Sequence, residues 1–288
     1  MTIPASSAAT SRREISVREM RKLILKHSKR ANVGHIGSCL CVVEILAALY
    51  GRVLNIPSHS HPERDRFILS KGHAGMALYA ALALNGTLSE DDLNSFCGGD
   101  SLLGVHPEAA LRGIDFSSGS LGLGPSMATG AALAARLQRS GRRVFCLISD
   151  AECNEGSVWE AAMFAAHHRL NQMRVIIDLN GQQALGLTRD VINIPNMRER
   201  WESFGWRTSI VDGHSMDDIT LALSESPEPF APPLVVLART VFGKGVSYME
   251  AGVALSQRHL PDQAINWHYL PMSDAEYEIA ISEAERQN

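Results

Sequence analysis

Two short apolar segments, each running into a polar residue, constrain the fold of this chain more than any other feature. Residues 144–148 precede Asp150, and residues 175–177 precede Asn180. Both segments are short and rich in β-branched residues, as buried parallel strands are. The stretch 158–166 between them is a strong helix former. The pattern therefore predicts a strand–helix–strand unit with Asp150 and Asn180 at the carboxyl ends of its strands, where open parallel sheets bind ligands.

An acid and an amide at these two positions would offer oxygen ligands to a hard cation. Mg²⁺ is typically bound by one or two such groups and completes its octahedral shell with phosphate oxygens and water. Taken alone, Asp150 is equally compatible with a helix cap, and Asn180-Gly181 with a turn. The hypothesis at this point is a magnesium–diphosphate site built on Asp150 and Asn180.

The remaining sequence continues the alternation of strands and helices. Helices are predicted over residues 15–29, 41–53, 76–84, 127–136, 200–204 and 217–223, with others starting near Ser89 and Ser273, and a loop over 188–197. Further strands are predicted over residues 66–70, 209–211 and 233–238. This order indicates an α/β fold with a doubly wound, mostly parallel sheet and helices on both faces. Residues 1–13 are predicted to be a disordered tail, and residues 14–288 a single domain.

Composition excludes several functional classes. The net charge of −4 gives no basic footprint for nucleic acid. The longest apolar run, residues 76–84, is too short to span a bilayer, and residues 1–13 lack the apolar core of a secretory signal. The five cysteines are odd in number and lack metal-finger spacing, which favours a reducing, cytoplasmic setting.

Several histidines and a lysine lie beside glycines at predicted junctions between strands and helices. Two glycines flank His35, a pattern that predicts a tight turn where backbone can approach a ligand closely. Singly, each such feature is more often an ordinary turn. Together they would lie on one rim of the sheet: Gly34-His35, Gly72-His73, His106-Pro107, Gly119-Ser120 and Gly243-Lys244.

In this order the motifs resemble those of transketolases. Residues 150–161 read D-x-E-x-x-E-G-x-x-W-E-A and are followed by Asn180-Gly181, a combination similar to the thiamine-diphosphate motif. The resemblance extends from about Ile15 to Glu285 and covers the family's N-terminal, diphosphate-binding (PP) domain. A single-chain transketolase is more than twice as long, so the sequence resembles the N-terminal subunit of a split transketolase.

The resemblance implies thiamine diphosphate bound through Mg²⁺, which Ca²⁺ or Mn²⁺ can replace. Asp150 and Asn180 would supply side-chain oxygens to the metal, and Gln182 its backbone carbonyl. It also implies a set of cofactor contacts made by His73, Gly119, Leu121, Asp150, Ala151, Glu152, Asn180, Lys244 and His268. His35, His73 and His106 would serve catalysis by hydrogen-bonding the substrate, with Glu155 at the subunit interface.

Three positions depart from the family pattern. Ala151 stands where glycine is usual, Leu185 where a carboxylate is usual, and Tyr269 where glycine follows Trp-His. Because all three lie near the cofactor or its approach, they leave open a donor or acceptor less polar than a sugar phosphate.

The resemblance also implies a partner. In this family the glutamate that activates the aminopyrimidine comes from the next domain, across a dimer interface. The chain is therefore expected to be inactive without a C-terminal, pyrimidine-binding chain, most simply in an α2β2 heterotetramer. Two alternatives remain open: an acyloin-forming or α-keto-acid-decarboxylating subunit with the same cofactor, and a non-catalytic regulatory subunit that retains the fold.

Overall fold

The computed structural model describes residues 14–226, 228–250 and 262–287, without the side chains of 262–265. The tail predicted over residues 1–13 lies outside this range. At the centre is a parallel sheet of five strands in the order β1-β2-β3-β7-β6, with helices on both faces. The predicted α/β class and doubly wound arrangement are confirmed.

The strands are β1 (Arg66–Leu69), β2 (Val144–Ser149), β3 (Met173–Leu179), β6 (Arg207–Asp212) and β7 (Leu234–Arg239), with a small antiparallel pair, β4 (Gln182–Gln183) and β5 (Gly186–Leu187). All six residues of β2 are buried, which explains its continuous apolar sequence. The edge strand β6 is largely half-buried and correspondingly more polar.

The helices described are α1 (Val17–Ala31), α2 (Ile36–Leu40), α3 (Val43–Ala48), α4 (Gly75–Leu84), α5 (Glu90–Asn94), α6 (Gly124–Leu137), α7 (Gly156–His167), α8 (Thr188–Val191), α9 (Met197–Ser203), α10 (Met216–Ser224), α11 (Asp262–Tyr269) and α12 (Asp274–Glu285). Short 3₁₀ turns occupy Gly72–Ala74 and Ala151–Asn154. Within the described residues, no helix has the length and apolarity needed to cross a membrane.

The sheet separates two apolar cores. Successive strand residues point to opposite faces, so Phe145 and Leu147 of β2 join one core, with α1, α3 and α4. Cys146 and Ile148 join the other core, which α6, α7 and the buried Trp201 complete. A doubly wound sheet has helices on both faces, and each face therefore has its own apolar core.

Several predicted boundaries differ from the structure. The helix expected over 41–53 begins at Val43, because Val42 leaves helical geometry, and its last turn, Leu49–Val53, is a π-helix. The loop expected over 188–197 contains α8, and α9 begins at Met197 rather than at residue 200. Helix α6 begins three residues before the predicted start, since Pro125 is favourable in a first helical turn.

The two glycines around His35 serve packing within the protein. A Cβ on Gly34 would overlap the Tyr269 carbonyl, and a Cβ on Gly37 would overlap the Phe242 ring. The backbone at these glycines is therefore approached closely, as predicted, but by other parts of the chain rather than by a ligand. It brings the α1–α2 turn against the segments that follow β7 and end α11.

We predict that Gly37→Ala destabilises the protein by about 1–3 kcal/mol, because Phe242 is fully buried and cannot move without disturbing its neighbours. Gly130→Ala is the matched control: it lies within α6, and an added Cβ there meets nothing within 4 Å. That control should be neutral or stabilising by about 0.5–1 kcal/mol. Urea unfolding of both variants measures the effect, and equal stabilities would contradict it.

Candidate active site

Asp150 connects the ends of β2 and β3. Its Oδ1 accepts from the Ala151 N–H at 2.8 Å, and its Oδ2 from the Gly181 N–H at 2.9 Å and the Thr188 hydroxyl at 3.2 Å. Burial, together with the nearby Asp178 carboxylate, raises the pKa of Asp150 to about 7. A cation beside Asp150 would favour the ionised form and offset this cost.

Asn180 lies just past β3, beside Asp150. Its Nδ2 donates to Asp178 Oδ2 at 2.8 Å, and its Oδ1 accepts from the Gln182 N–H at 2.8 Å. Asp150, Asn180 and Gln182 are all buried. The structure thus brings together the three residues predicted to hold the metal.

The donors at this position fit magnesium. Across the described part of the chain, no group of three or more His, Cys, Asp or Glu side chains could hold a metal ion. A cation at Asp150 would therefore rely on one carboxylate, one amide oxygen, backbone carbonyl and oxygens of its own ligand. That set suits Mg²⁺, which keeps phosphate and water oxygens in its shell.

Three predicted histidines, from distant parts of the sequence, form a cluster. The ring centroids of His35 and His73 are 5.3 Å apart, those of His35 and His268 5.8 Å, and those of His73 and His268 5.7 Å. The backbone N–H of His35 donates to the His268 carbonyl at 3.1 Å. We call these three residues the histidine cluster.

The histidine cluster is electrically neutral at pH 7. Burial lowers the pKa of His35, with His106 and Lys71 adding to the effect. Burial and Lys71 hold the pKa of His73 well below its usual value, and burial lowers that of His268 to about 4. The Nδ1 atoms of His35 and His268 are buried and have no hydrogen-bond partner among the described residues. Such atoms are positioned to bind a ligand.

The loop before α6 borders the cluster. A Cβ on Gly119 would lie 3.3 Å from Cγ of His106, so these two predicted residues are in contact. Leu121 is 41% exposed at the rim of the loop. The nearby Ser118 hydroxyl is buried, and no described residue is its hydrogen-bond partner. The structure therefore joins His106 and Gly119, and Leu121 follows two residues later in the same loop.

Glu152 was predicted to contact the cofactor, but its carboxylate is enclosed by protein donors. Oε1 accepts from the Ser70 hydroxyl at 2.5 Å and the Gly122 N–H at 2.9 Å, and Oε2 accepts from the Ser149 N–H at 2.9 Å. Its geometry suits positioning the Gly119–Leu121 loop rather than touching a ligand. Glu155, by contrast, is exposed where α7 begins.

Lys244 was predicted to contact the cofactor, but its side chain lies away from the histidine cluster. It lines a separate cavity of about 720 Å³ with Arg21, Glu44 and His214, and its Nζ lies 3.7 Å from Glu250. Phe242 reaches the cluster instead, and its ring stacks on His268 at 5.6 Å. Gly243 lies between the two residues with a φ of +71°, so the chain turns there and the two side chains leave it in different directions.

A buried network behind Lys244 fixes its backbone segment. Glu44 forms an ion pair with Arg21 and lies 3.0 Å from His214 Nδ1. Nε2 of His214 accepts from the Val241 N–H at 2.9 Å. Because Nε2 must then be the unprotonated nitrogen, Nδ1 donates to Glu44.

Sequence reasoning missed three residues beneath the site: Cys41, Lys71 and Asp178, all fully buried. Asp178 Oδ2 accepts from Lys71 Nζ at 2.5 Å and from the Cys41 thiol at 3.1 Å. A signal for Asp178 was available, because a residue two positions before Asn180 shares its side of an extended segment. A signal for Lys71 was also available, because it is a charged residue inside the Ser-Lys-Gly-His motif.

The match to a known family decides where this site belongs. A family model described as transketolase, thiamine diphosphate binding domain matches residues 12–274. This chain belongs to the transketolase family. The family resemblance seen in the sequence is confirmed, and so is the thiamine-diphosphate-binding fold.

Two relatives match this transketolase-family chain over nearly their whole length. The 6-deoxy-6-sulfo-D-fructose transketolase subunit of Clostridium sp. is 36% identical over 271 residues, covering 93% of this chain and 94% of the relative. An apulose-4-phosphate transketolase subunit of Phocaeicola vulgatus is 33% identical over 272 residues, covering 94% and 92%. The transketolase-type subunit predicted from the sequence is therefore confirmed.

Solved transketolases have the same fold but are longer. The crystal structure of transketolase from Campylobacter jejuni superposes with a TM-score of 0.81 at 26% identity, over 93% of this chain and 42% of that one. The chain thus spans less than half the length of the solved transketolase that it matches.

The neutral histidine cluster predicts a pH-dependent stability. The pKa of His268 is lowered in the folded chain, so the unfolded chain binds more protons between about pH 6.5 and 4, and stability falls as pH drops through this window. His268→Gln should remove about 2 kcal/mol of the loss at pH 5. Unfolding of the cofactor-free chain at pH 7 and pH 5 measures this. The exposed His167→Gln is the control, and a loss undiminished in His268→Gln would contradict the prediction.

Proposed function

We propose that this chain is the N-terminal subunit of a two-chain, thiamine-diphosphate-dependent transketolase. It would transfer a two-carbon ketol unit from a ketose-like donor to an aldehyde-like acceptor. The observation that carries the proposal is the link between the histidine cluster and Asn180: Lys71, two residues before His73, donates to Asp178, which also accepts from the Asn180 amide. Its family membership and the transketolase subunits among its relatives support the same reaction class.

The cofactor contacts divide into a metal end and a ring end. Asp150, Asn180 and the Gln182 carbonyl would hold Mg²⁺ and through it the diphosphate. The Ala151 N–H, now donated to Asp150, lies beside that position. Gly119 and Leu121 would contact the ring end. We place Lys244 outside this set because its ammonium lies in another cavity.

When bound, thiamine diphosphate supplies a carbon nucleophile and an electron sink for cleavage and formation of the C–C bond. The chain's own groups would act on the substrate. His35, His73 and His268 are neutral, so each offers one N–H donor and one acceptor nitrogen to hydroxyl or carbonyl oxygens. His106, on the exposed wall, would meet the substrate at the entrance. These roles are hydrogen bonding, orientation and proton transfer.

The substrate is proposed to be a hydroxylated ketose, because polar imidazoles need polar partners. The two relatives named above act, by their names, on 6-deoxy-6-sulfo-D-fructose and apulose-4-phosphate. In this chain Leu185 is 74% exposed, and the half-exposed Tyr269 ring lies against His35 and His268. Both would make the approach to the site less polar than a carboxylate and a glycine would.

A second chain is proposed to complete the active site. The relatives of matching length are named as subunits, and solved transketolases extend well beyond the region matched here. We propose a C-terminal, pyrimidine-binding partner in an α2β2 assembly, with Glu155 near the contact. All five cysteines are free thiols, which is compatible with the proposed cytoplasmic location.

Calorimetric titration tests the cofactor site. Thiamine diphosphate should bind with Mg²⁺, and Asp150→Asn should weaken binding about tenfold or more, which is about 1.4 kcal/mol or more. Asp190→Asn is the matched control because its side chain is well exposed on a neighbouring helix. Wild-type binding that Asp150→Asn leaves unchanged would refute this metal ligand.

Lys244→Met tests the exclusion of Lys244 from that site. Since the Lys244 ammonium lies beside Glu250 rather than beside the histidine cluster, cofactor affinity should change by less than about threefold, or about 0.6 kcal/mol. The same calorimetric titration measures it. A loss comparable to that of Asp150→Asn would show that Lys244 contacts the diphosphate.

Reaction products test the activity. The chain combined with a C-terminal transketolase subunit should convert a ketose and an aldehyde into the exchanged pair, and neither chain alone should do so. Release of carbon dioxide from an α-keto acid would instead indicate the decarboxylating alternative. Full activity of the isolated chain would refute the requirement for a partner.

A further inference from the structure

We propose that Asp178 is a positioning residue for the metal site, which turns the Asn180 amide so that its oxygen is the atom available to the cation. The buried Lys71 keeps the Asp178 carboxylate in place. This inference rests on the proposed metal site. It adds an explanation of why the oxygen of the Asn180 amide, rather than its NH₂ group, is turned towards the cation.

Asp178 accepts from four side chains on four separate segments. Oδ2 accepts from Lys71 at 2.5 Å, from Asn180 Nδ2 at 2.8 Å and from Cys41 at 3.1 Å, while Oδ1 accepts from Thr240. The Lys71 and Asp178 side chains are 0% exposed. Both groups are therefore shielded from bulk solvent, and the contacts named here fix the carboxylate.

The chemistry of the two groups decides the orientation. An ionised carboxylate only accepts hydrogen bonds, and an amide has one accepting atom and one donating atom. The Asn180 atom facing Asp178 must therefore be the NH₂ group. The oxygen is directed to the opposite side, where it accepts from the Gln182 N–H and keeps a second lone pair.

Lys71 stabilises this orientation of the Asn180 amide. Its ammonium gives the fully buried carboxylate a matching charge, since a lone charge at this depth would be very costly. The charge also keeps Asp178 an acceptor rather than a protonated acid that could donate to the amide oxygen. Without Lys71, the Asn180 amide would lose one of the two groups that fix its orientation and would keep the Gln182 N–H.

The same pair connects the metal site to the histidine cluster. Lys71 lies two residues before His73, and Thr240 lies two residues before Phe242, which stacks on His268. Cys41 ends α2, the helix that follows His35. A change at Asp178 therefore reaches the segments that carry all three histidines.

Nuclear magnetic resonance of the side-chain amide tests the orientation without any metal. In ¹⁵N-asparagine-labelled chain, the Asn180 NH₂ signal, assigned by its loss in Asn180→Asp, should exchange slowly with solvent. Rapid exchange in the wild-type chain would overturn the proposal, whatever the variants do.

Metal affinity tests the consequence. Asp178→Asn alone leaves the Lys71 charge buried and unpaired, so the double variant Lys71→Met/Asp178→Asn, which removes both charges, is the informative one. Mn²⁺ binding with thiamine diphosphate present, followed by the electron paramagnetic resonance of free Mn²⁺, should weaken about 10–100-fold. Far-UV circular dichroism and thermal unfolding confirm that the variant is folded.

Thr240→Val is the matched control. It removes one hydrogen bond from Oδ1 but leaves the Oδ2 contacts with Lys71 and Asn180, so Mn²⁺ affinity should change less than about threefold. Unchanged affinity in the double variant, or an equal loss in Thr240→Val, would overturn the proposal. If the wild-type chain binds no Mn²⁺ while its Asn180 amide is protected, the metal site itself fails, and with it the positioning role.

Discussion

The fully buried ion pair of Lys71 and Asp178 is the interaction on which the rest of the site depends. Two charges in a core are costly to desolvate, and their mutual attraction compensates only when every remaining hydrogen bond is made. Here the thiol of Cys41, the hydroxyl of Thr240 and the amide of Asn180 make those bonds. The pair therefore specifies an arrangement of chain segments more than it adds stability.

In the histidine cluster, burial has the opposite effect: it keeps side chains neutral instead of enclosing paired charges. Its imidazoles are kept uncharged, and two of their nitrogens have no hydrogen-bond partner in the part of the chain that the structure describes. A protein core normally satisfies such atoms, and leaving them open costs free energy. The cluster is held in spite of this cost because its neighbours are fixed independently: Gly37 packs on Phe242, and the His35 N–H bonds to the His268 carbonyl. Rigid surroundings thus maintain a site that is unfavourable without its ligand.

The sequence predicted the sheet and the residues at its strand ends well, because apolar periodicity and strand-end position follow from backbone geometry. Asp150 and Asn180 meet for this reason, and His35 meets His73 and His268 as the family order implied. Two side-chain directions were not predictable. Glu152 is enclosed by Ser70 and Gly122, and Lys244 points into a different cavity from Phe242. Such directions are set by tertiary contacts between segments, which spacing along the chain does not encode.

The hydrogen bond between His35 and His268 joins residues more than two hundred positions apart. One wall of the histidine cluster comes from the first described helices, and another from the end of α11. Contacts this distant in sequence form late, because the entropy of closing a long loop must be overcome first. The histidine cluster is consequently absent from a growing chain until the C-terminal part has been synthesised and has docked. A ligand bound at the cluster then distinguishes finished molecules from unfinished ones and stabilises only the former.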